Sequence, residues 1–305
     1  GSYKYCNKRL CSIFNNAKHN MISRNSLDNP GAVNLPDQRL APRLRKASNL
    51  IAEQLKKPVP THIDRPRHIF IAYDEGCNLA CPSCRTHIKK IPKDKKDEMD
   101  DLFERIVRPL VTSGPTLLTA SGHGDPLGSK HLREKLSSLH GNEYKDLRIN
   151  LQTNGLLLNF SGWQTISSIS SNIEDVRISI DAATKETYEV VRFPGVWDDL
   201  MNSLNVTVAK RDEFNFRLVI NFCIQDLNFR EIQRFAELGD SLKVDRINFQ
   251  HLVNWGTYSP DDYKRRNVVD PLHPNHREFK DLLISTVSNY KNIQLSSSLP
   301  RLLRT

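Results

Sequence analysis

Apolar and polar residues alternate over 68–73, 116–121, 147–152, 176–180, 216–224 and 245–251, the period of a strand with one buried face. Helix-like stretches lie near 98–112, 129–139, 162–170, 196–212, 229–238 and 275–289. Strands alternating with helices at this spacing predict βαβ units and a parallel sheet. The first 60 residues have another texture: rich in Asn and Ser, with a turn signal at Asn29-Pro30-Gly31, a helix expected over 41–56, and Pro58 and Pro60 marking a linker. The expected organisation is an N-terminal segment, 1–60, ahead of a core, 61–305.

Which residues alternate decides between sheet types. Arg148, Asn150 and Gln152 share one face; so do Arg177, Ser179 and Asp181, then Arg217, Asn221 and Gln225, then Arg246, Asn248 and Gln250. The opposite faces hold Leu147, Ile149 and Leu151, Val176, Ile178 and Ile180, Leu218, Ile220 and Phe222, and Ile247 and Phe249. A doubly wound sheet buries both faces and would read as apolar runs. A polar stripe recurring strand after strand predicts a curved sheet around a hydrated lumen, a partial (β/α)6 TIM-like barrel with a short irregular cysteine-containing segment before it. Its working end would be the strand C-termini, where Gln152, Asp181 and Gln225 fall. The four arginines fall early in their strands, either as a basic ring or as a plug paired with carboxylates.

Composition narrows the class. No apolar run approaches a membrane span, the mean hydropathy is −0.52, and no signal-peptide pattern opens the chain, so a cytoplasmic protein is expected. Six Cys in 305 residues are too few for a disulfide scaffold. The net charge of +9 has its densest block at Lys89, Lys90, Lys93, Lys95 and Lys96, read as a solvated loop entering an acidic helix start.

The sharpest signal follows the first strand: Cys77-Asn-Leu-Ala-Cys81-Pro-Ser-Cys84. Three thiolates on one loop suit an iron–sulfur cluster, with one iron of a [4Fe–4S] cube left open. The alternative is structural zinc, with His87 as a fourth ligand. A superficial dinucleotide pattern, Gly122, Gly124 and Gly128, has displaced spacing and is interrupted by Pro126.

The three-cysteine spacing after the first strand resembles the radical SAM superfamily. Ser121-Gly-His-Gly-Asp125-Pro126 is similar to that family's Gly-Gly-Glu-Pro motif, and Gln152-Thr153-Asn154-Gly155 ends the third strand as in many members. Ser179-Ile-Asp181-Ala with Tyr188 and Arg192 resembles the fourth-strand segment, and Asn221 to Gln225 with Asn228 and Glu231 the fifth. The resemblance runs over roughly 68–290. It implies that Cys77, Cys81 and Cys84 bind a [4Fe–4S] cluster that cleaves S-adenosylmethionine (SAM) reductively, giving a 5′-deoxyadenosyl radical that abstracts hydrogen from a substrate. It further implies that Gly122, Gly124 and Asp125 hold the SAM amino group, that Thr153, Asn154, Ser179, Asp181 and Arg192 orient its ribose and carboxylate, and that Asn221 lies near the adenosine. No catalytic residue is assigned. Two departures stand out: Ser83 occupies a position often aromatic, and Asp125 is one methylene shorter than the usual Glu.

Cys6 and Cys11 resemble the tail of a SPASM-type auxiliary cluster module set ahead of the core, which would make the chain a fragment; a disulfide or free thiols is the alternative. The expected substrate is a ribosomally made peptide, cross-linked or epimerised, or else a carbohydrate or antibiotic precursor. A flavodoxin- or ferredoxin-type electron donor is implied. A zinc-stabilised nucleic-acid-binding module is the competing class, but no basic strand interleaved with aromatics supports it. Cys223 reads as a packed thiol, His273 and His276 as surface residues, and His123 as a loop histidine or one near SAM.

Overall fold

The computed structural model describes residues 66–121, 123–296 and 299–303. Seven strands among them form one parallel sheet in chain order: β1 (His68–Ile71), β2 (Thr116–Ala120), β3 (Leu147–Thr153), β4 (Ile173–Ser179), β5 (Arg217–Ile224), β6 (Arg246–His251) and β7 (Ile293–Leu295). Each strand pairs only with its neighbours in sequence, without the reversal of order that defines a doubly wound sheet. The result is the expected partial barrel with one strand more. At three residues, β7 is too short for alternation to register, and it is fixed by its ladder to β6 instead.

The helices that cover the sheet are α1 (Lys93–Leu102), α2 (Arg108–Thr112), α3 (Lys130–Ser137), α4 (Phe160–Thr165), α5 (Lys185–Val191), α6 (Trp197–Phe214), α7 (Ile232–Ser241), α8 (Pro260–Arg266) and α9 (His276–Asn289). A π-turn, Phe103–Val107, joins α1 to α2. Pro109, near the start of α2, cannot donate an amide hydrogen and crowds the carbonyl four residues back, so the chain widens just before it.

The apolar stripes all face the helices. Leu218, Ile220, Phe222 and Ile224 are wholly buried, as are Val176, Ile178 and Ile180 on β4 and its extension. Phe222 lies 4.7 Å from Phe235 of α7 and 5.6 Å from Phe249 of β6, ring centre to ring centre. Burying each such ring stabilises the fold by roughly 2–3 kcal/mol. On the other face, Asp175 closes the lower end: Arg217 reaches it at 2.5 Å and Arg177 at 2.6 Å, while Glu174 takes the second arm of Arg217. Two of the four arginines are therefore a carboxylate-paired plug. Arg148 instead donates to the carbonyls of Lys145 and Leu147.

His273 corrects the surface reading. It is buried, its Nε2 bonding the Arg265 carbonyl at 2.8 Å while Nδ1 accepts the Asn275 N–H at 3.2 Å. The polar, proline-flanked sequence looks exposed, but the ring ties the end of α8 to the start of α9. His276, half-buried, does likewise through Val268. Among the described residues no helix is long and apolar enough to cross a membrane. Segment 1–60, with Cys6 and Cys11, and Gly122 lie outside the described residues.

Candidate active site

The loop after β1 is held from several sides. Fully buried Asp74 accepts the Gly76 N–H at 2.7 Å and the Ser129 hydroxyl. The Cys77 N–H meets the Lys89 carbonyl at 3.2 Å, and the Ala80 N–H meets the Phe193 carbonyl at 2.8 Å. Between these anchors the N–H groups of Cys84 and Arg85 both fold back onto the Cys81 carbonyl, at 2.8 and 3.0 Å. Gly124 passes so close that a Cβ there would lie 2.0 Å from the Gly76 carbonyl oxygen, which makes glycine obligatory.

Each of the three sulfurs faces a hydrogen-bond donor. Cys77 Sγ accepts from the Leu79 N–H at 3.4 Å, with Asn154 Nδ2 at 4.0 Å. Arg192 Nη1 lies 3.8 Å from Cys81 Sγ, and Arg85 Nη2 lies 3.6 Å from Cys84 Sγ. Burial, with the charge of Asp125, pushes the Cys77 thiol up to about 11, and burial likewise raises Cys81. Thiols raised in this way, Cys77 and Cys81, ionise far more readily against a bound metal than in neutral water.

The donor set fits a cluster better than a single ion. Among the described residues no three His, Cys, Asp or Glu side chains are gathered around one metal position. His87 is exposed, with Nδ1 on its neighbour Thr86. Three soft donors on one loop, each backed by N–H groups, suit a multi-iron centre in which each sulfur serves its own iron.

Asp125 departs from its expected role. Its Oδ1 accepts the N–H groups of Leu127 and Gly128 at 3.0 and 2.9 Å; its Oδ2 accepts the Thr153 hydroxyl at 2.8 Å and the Asn154 N–H at 2.6 Å. All four acceptor positions of a carboxylate are filled within the chain. Asp125 is thus a buried staple between the loop after β2 and the end of β3, with no acceptor left for an amino group. Thr153 is spent on the same staple, and Asn154 donates to Asn78 Oδ1 at 2.9 Å.

Across the barrel mouth, Asp181 sits in the left-handed region (φ 61°), which Asp tolerates better than most residues. Its Oδ1 accepts the Cys223 N–H at 2.6 Å, and its Oδ2 pairs with Arg192 Nη2 at 2.7 Å. Arg192 therefore bridges a carboxylate and the Cys81 sulfur. Burial works against its charge, but Asp181 and Cys81 outweigh burial and hold it above the ordinary arginine value. Ser179 pairs in register with Asn221, whose Oδ1 accepts from Asn248. Cys223 is half-buried, and burial raises its thiol.

Buried polar atoms without a partner among the described residues include Arg192 Nε, the Tyr188 hydroxyl, Gln225 Oε1 and Asn248 Oδ1 here, with others elsewhere, such as Arg177 Nε and Asn267 Oδ1. Such atoms are costly unless something binds them. Three contributors escaped the sequence reading. Asn78 lies within the cysteine motif and Arg85 directly after it, but neither carries a pattern of its own. Tyr258, with Arg266 stacked 4.9 Å over its ring, arrives on the irregular loop after β6. The His123 carbonyl accepts from Arg85, and its ring lies toward Glu75, at 4.0 Å.

No protein-family model matches the sequence. The chain is 23% identical over 205 residues to the Fe-coproporphyrin III synthase of Methanosarcina barkeri (strain Fusaro / DSM 804), covering 66% of this chain and 49% of that protein. Its fold is similar to that of Streptococcus suis SuiB bound to S-adenosylmethionine: TM-score 0.54, 16% identity, 95% of this chain and 63% of that one. SuiB bound to its precursor peptide SuiA gives a TM-score of 0.52 at 14% identity, with 95% and 62% covered. The chain thus spans about half of the curated relative and less than two thirds of SuiB. The parallel partial barrel, the three-cysteine loop after its first strand and the ordered motifs on the strands that follow agree with the resemblance to the radical SAM superfamily drawn from the sequence.

Proposed function

We propose that the chain uses a [4Fe–4S] cluster on Cys77, Cys81 and Cys84 to cleave SAM reductively and start hydrogen abstraction from a substrate in the lumen. The observation that carries this reading is the loop itself, where each of three sulfurs meets a hydrogen-bond donor. The cluster and SAM together supply the one-electron chemistry. The protein's residues hold, orient and exclude. Arg85 and Arg192 offset negative charge at the sulfurs. The main chain of Gly122 and Gly124 is the proposed seat of the SAM amino group, with Asp125 fixing that loop from behind. Arg192 Nε, Ser179 and Asn221 would meet the ribose, carboxylate and adenosine, while Asp181 holds Arg192 in place.

For the substrate we favour a ribosomally made peptide, supported by the likeness to SuiB with its precursor peptide. A small-molecule substrate is the second reading, favoured by the relative named for Fe-coproporphyrin III. Anaerobic reconstitution with iron and sulfide, then reduction with SAM present, tests the chemistry: methionine and 5′-deoxyadenosine should form. Candidate precursor peptides and porphyrins in the same assay separate the two substrate readings.

A further inference from the structure

Arg148, Arg177, Arg217 and Arg246 stand on the lumen face of their strands, and the nearby carboxylates do not match all of them. Asp175 takes Arg177 at 2.6 Å and Arg217 at 2.5 Å, and Glu174 takes the second arm of Arg217. Asp245 is spent on the Leu218 N–H at 2.7 Å, and Arg148 binds main-chain carbonyls. Arg246 is half-buried, and among the described residues no ion pair or side-chain hydrogen bond engages it. Arg177 donates to Asp175 through Nη2 alone and leaves its Nε buried without a partner. A guanidinium held partly away from water without a full counter-charge is unfavourable until an anion joins it.

Register brings these two arginines together. Arg177 pairs with Val219 across β4 and β5, and Val219 pairs with Arg246 across β5 and β6. Neighbouring strands lie about 4.8 Å apart, so the two flank Val219 at roughly 10 Å, within reach of one shared anion on the concave face. Val219 is buried between them and offers an apolar floor. The next row holds Ser179 and Asn221, the proposed SAM contacts, two positions and so about 7 Å further along the strands. We propose that Arg177 and Arg246 form a subsite for a carboxylate of the substrate, seated on Val219 one row below SAM. The inference rests on the reading of the lumen as the place of hydrogen abstraction. A guanidinium fork grips a carboxylate through paired N–H bonds, so the subsite selects an acid over its amide. An acidic peptide side chain and the carboxylate arm of a small molecule present the same group.

The test uses the reconstituted protein and two heptapeptide libraries, random except for Glu or Gln fixed at the centre. Coproporphyrin III beside a cationic porphyrin is the small-molecule pair. Wild type should bind at least one acidic probe about tenfold or more tightly than its counterpart. Arg246→Gln should remove that preference and Arg246→Lys should keep part of it. Thermal unfolding of Arg246→Gln should match wild type, because Arg246 has no protein partner to lose. Arg177→Gln should weaken the preference too, read beside its own unfolding curve because it also loosens Asp175. Loss confined to the Glu peptides assigns the carboxylate to a peptide; loss confined to coproporphyrin III assigns it to a small molecule. No preference for acid in wild type, or one that survives both Arg246→Gln and Arg177→Gln, would overturn the subsite. If dithionite supports no SAM cleavage in any of these proteins, the cluster reading fails instead, while binding, measured without turnover, still reports on the arginines.

Discussion

Asp125 Oδ2 accepts the main-chain N–H of Asn154 at 2.6 Å, across 29 positions of sequence. That bond, with the Thr153 hydroxyl on the same oxygen, makes the acidic residue of the loop after β2 part of the scaffold. Asp125→Asn keeps the shape but turns an amide N–H₂ toward a fixed donor. It should cost about 2 kcal/mol of stability, as for a lost buried bond to a charged acceptor, and weaken SAM binding. Thr153→Val should show a milder form of both effects. Thermal unfolding and SAM titration check this. A variant with wild-type stability and loss of SAM affinity alone would return Asp125 to direct contact with SAM.

Arg192 is predicted to be irreplaceable by lysine. Its planar fork reaches Asp181 Oδ2 at 2.7 Å and the Cys81 sulfur at 3.8 Å together, which a single ammonium cannot reproduce. Arg192→Ala leaves Asp181 buried and uncompensated and should destabilise by about 3–5 kcal/mol. Arg192→Lys should keep more of that stability yet shift the electron paramagnetic resonance spectrum of the reduced cluster. An unchanged spectrum and full activity in Arg192→Lys would contradict the bridge.

Gly124→Ala should spoil the loop without unfolding the barrel. The added Cβ meets main chain at 2.0 Å, so the cysteine loop must move. Iron content after reconstitution should fall several-fold while the far-ultraviolet circular dichroism stays the same. Normal iron loading would show that the loops are less closely packed than described.

Acid should destabilise the fold through α1 and α3. Burial alone would raise Asp100, but hydrogen bonds from Lys96 and His131 and the charge of Lys135 outweigh it and bring it down to about 2. The Arg108 hydrogen bond, helped by Lys135, holds Glu104 at about 2. Both groups sit below their unfolded values, so their contribution is complete above about pH 4.5 and is lost as pH falls toward 2. His131, 1% exposed, is lowered chiefly by burial, so the unfolded chain takes up its proton first, and stability starts to fall below about pH 6.5. Urea midpoints from pH 7 to 3.5 should decline throughout, and in Asp100→Asn the fall below about pH 4.5 should be shallower. A flat profile would refute the assignment.

Much of this was legible in the sequence, and the failures have physical causes. The strands were readable because residues such as Leu218, Ile220 and Phe222 alternate against Arg217 and Asn221, although the barrel buries Val219 and Asn221 on the other face as well. A three-residue strand offers no period, so β7 was invisible, as was helix α5, whose start depends on the Thr184 hydroxyl accepting the Thr187 N–H. The cysteine loop was legible because its ligands are close in sequence. The staple of Asp125 was not, because its partners lie on β3 and only the fold brings them together. His273 looked like a surface residue because hydrogen bonds to backbone leave no mark in composition.

The central claim is that Cys77, Cys81 and Cys84 alone hold a redox cluster open to SAM. The most direct measurement is electron paramagnetic resonance of the reconstituted, dithionite-reduced protein with and without SAM, beside the variant with all three cysteines changed to Ala. The account predicts a [4Fe–4S]⁺ signal that SAM perturbs, 5′-deoxyadenosine on turnover, and neither in the variant. A wild-type signal indifferent to SAM, or SAM cleavage that survives loss of the three cysteines, would contradict it.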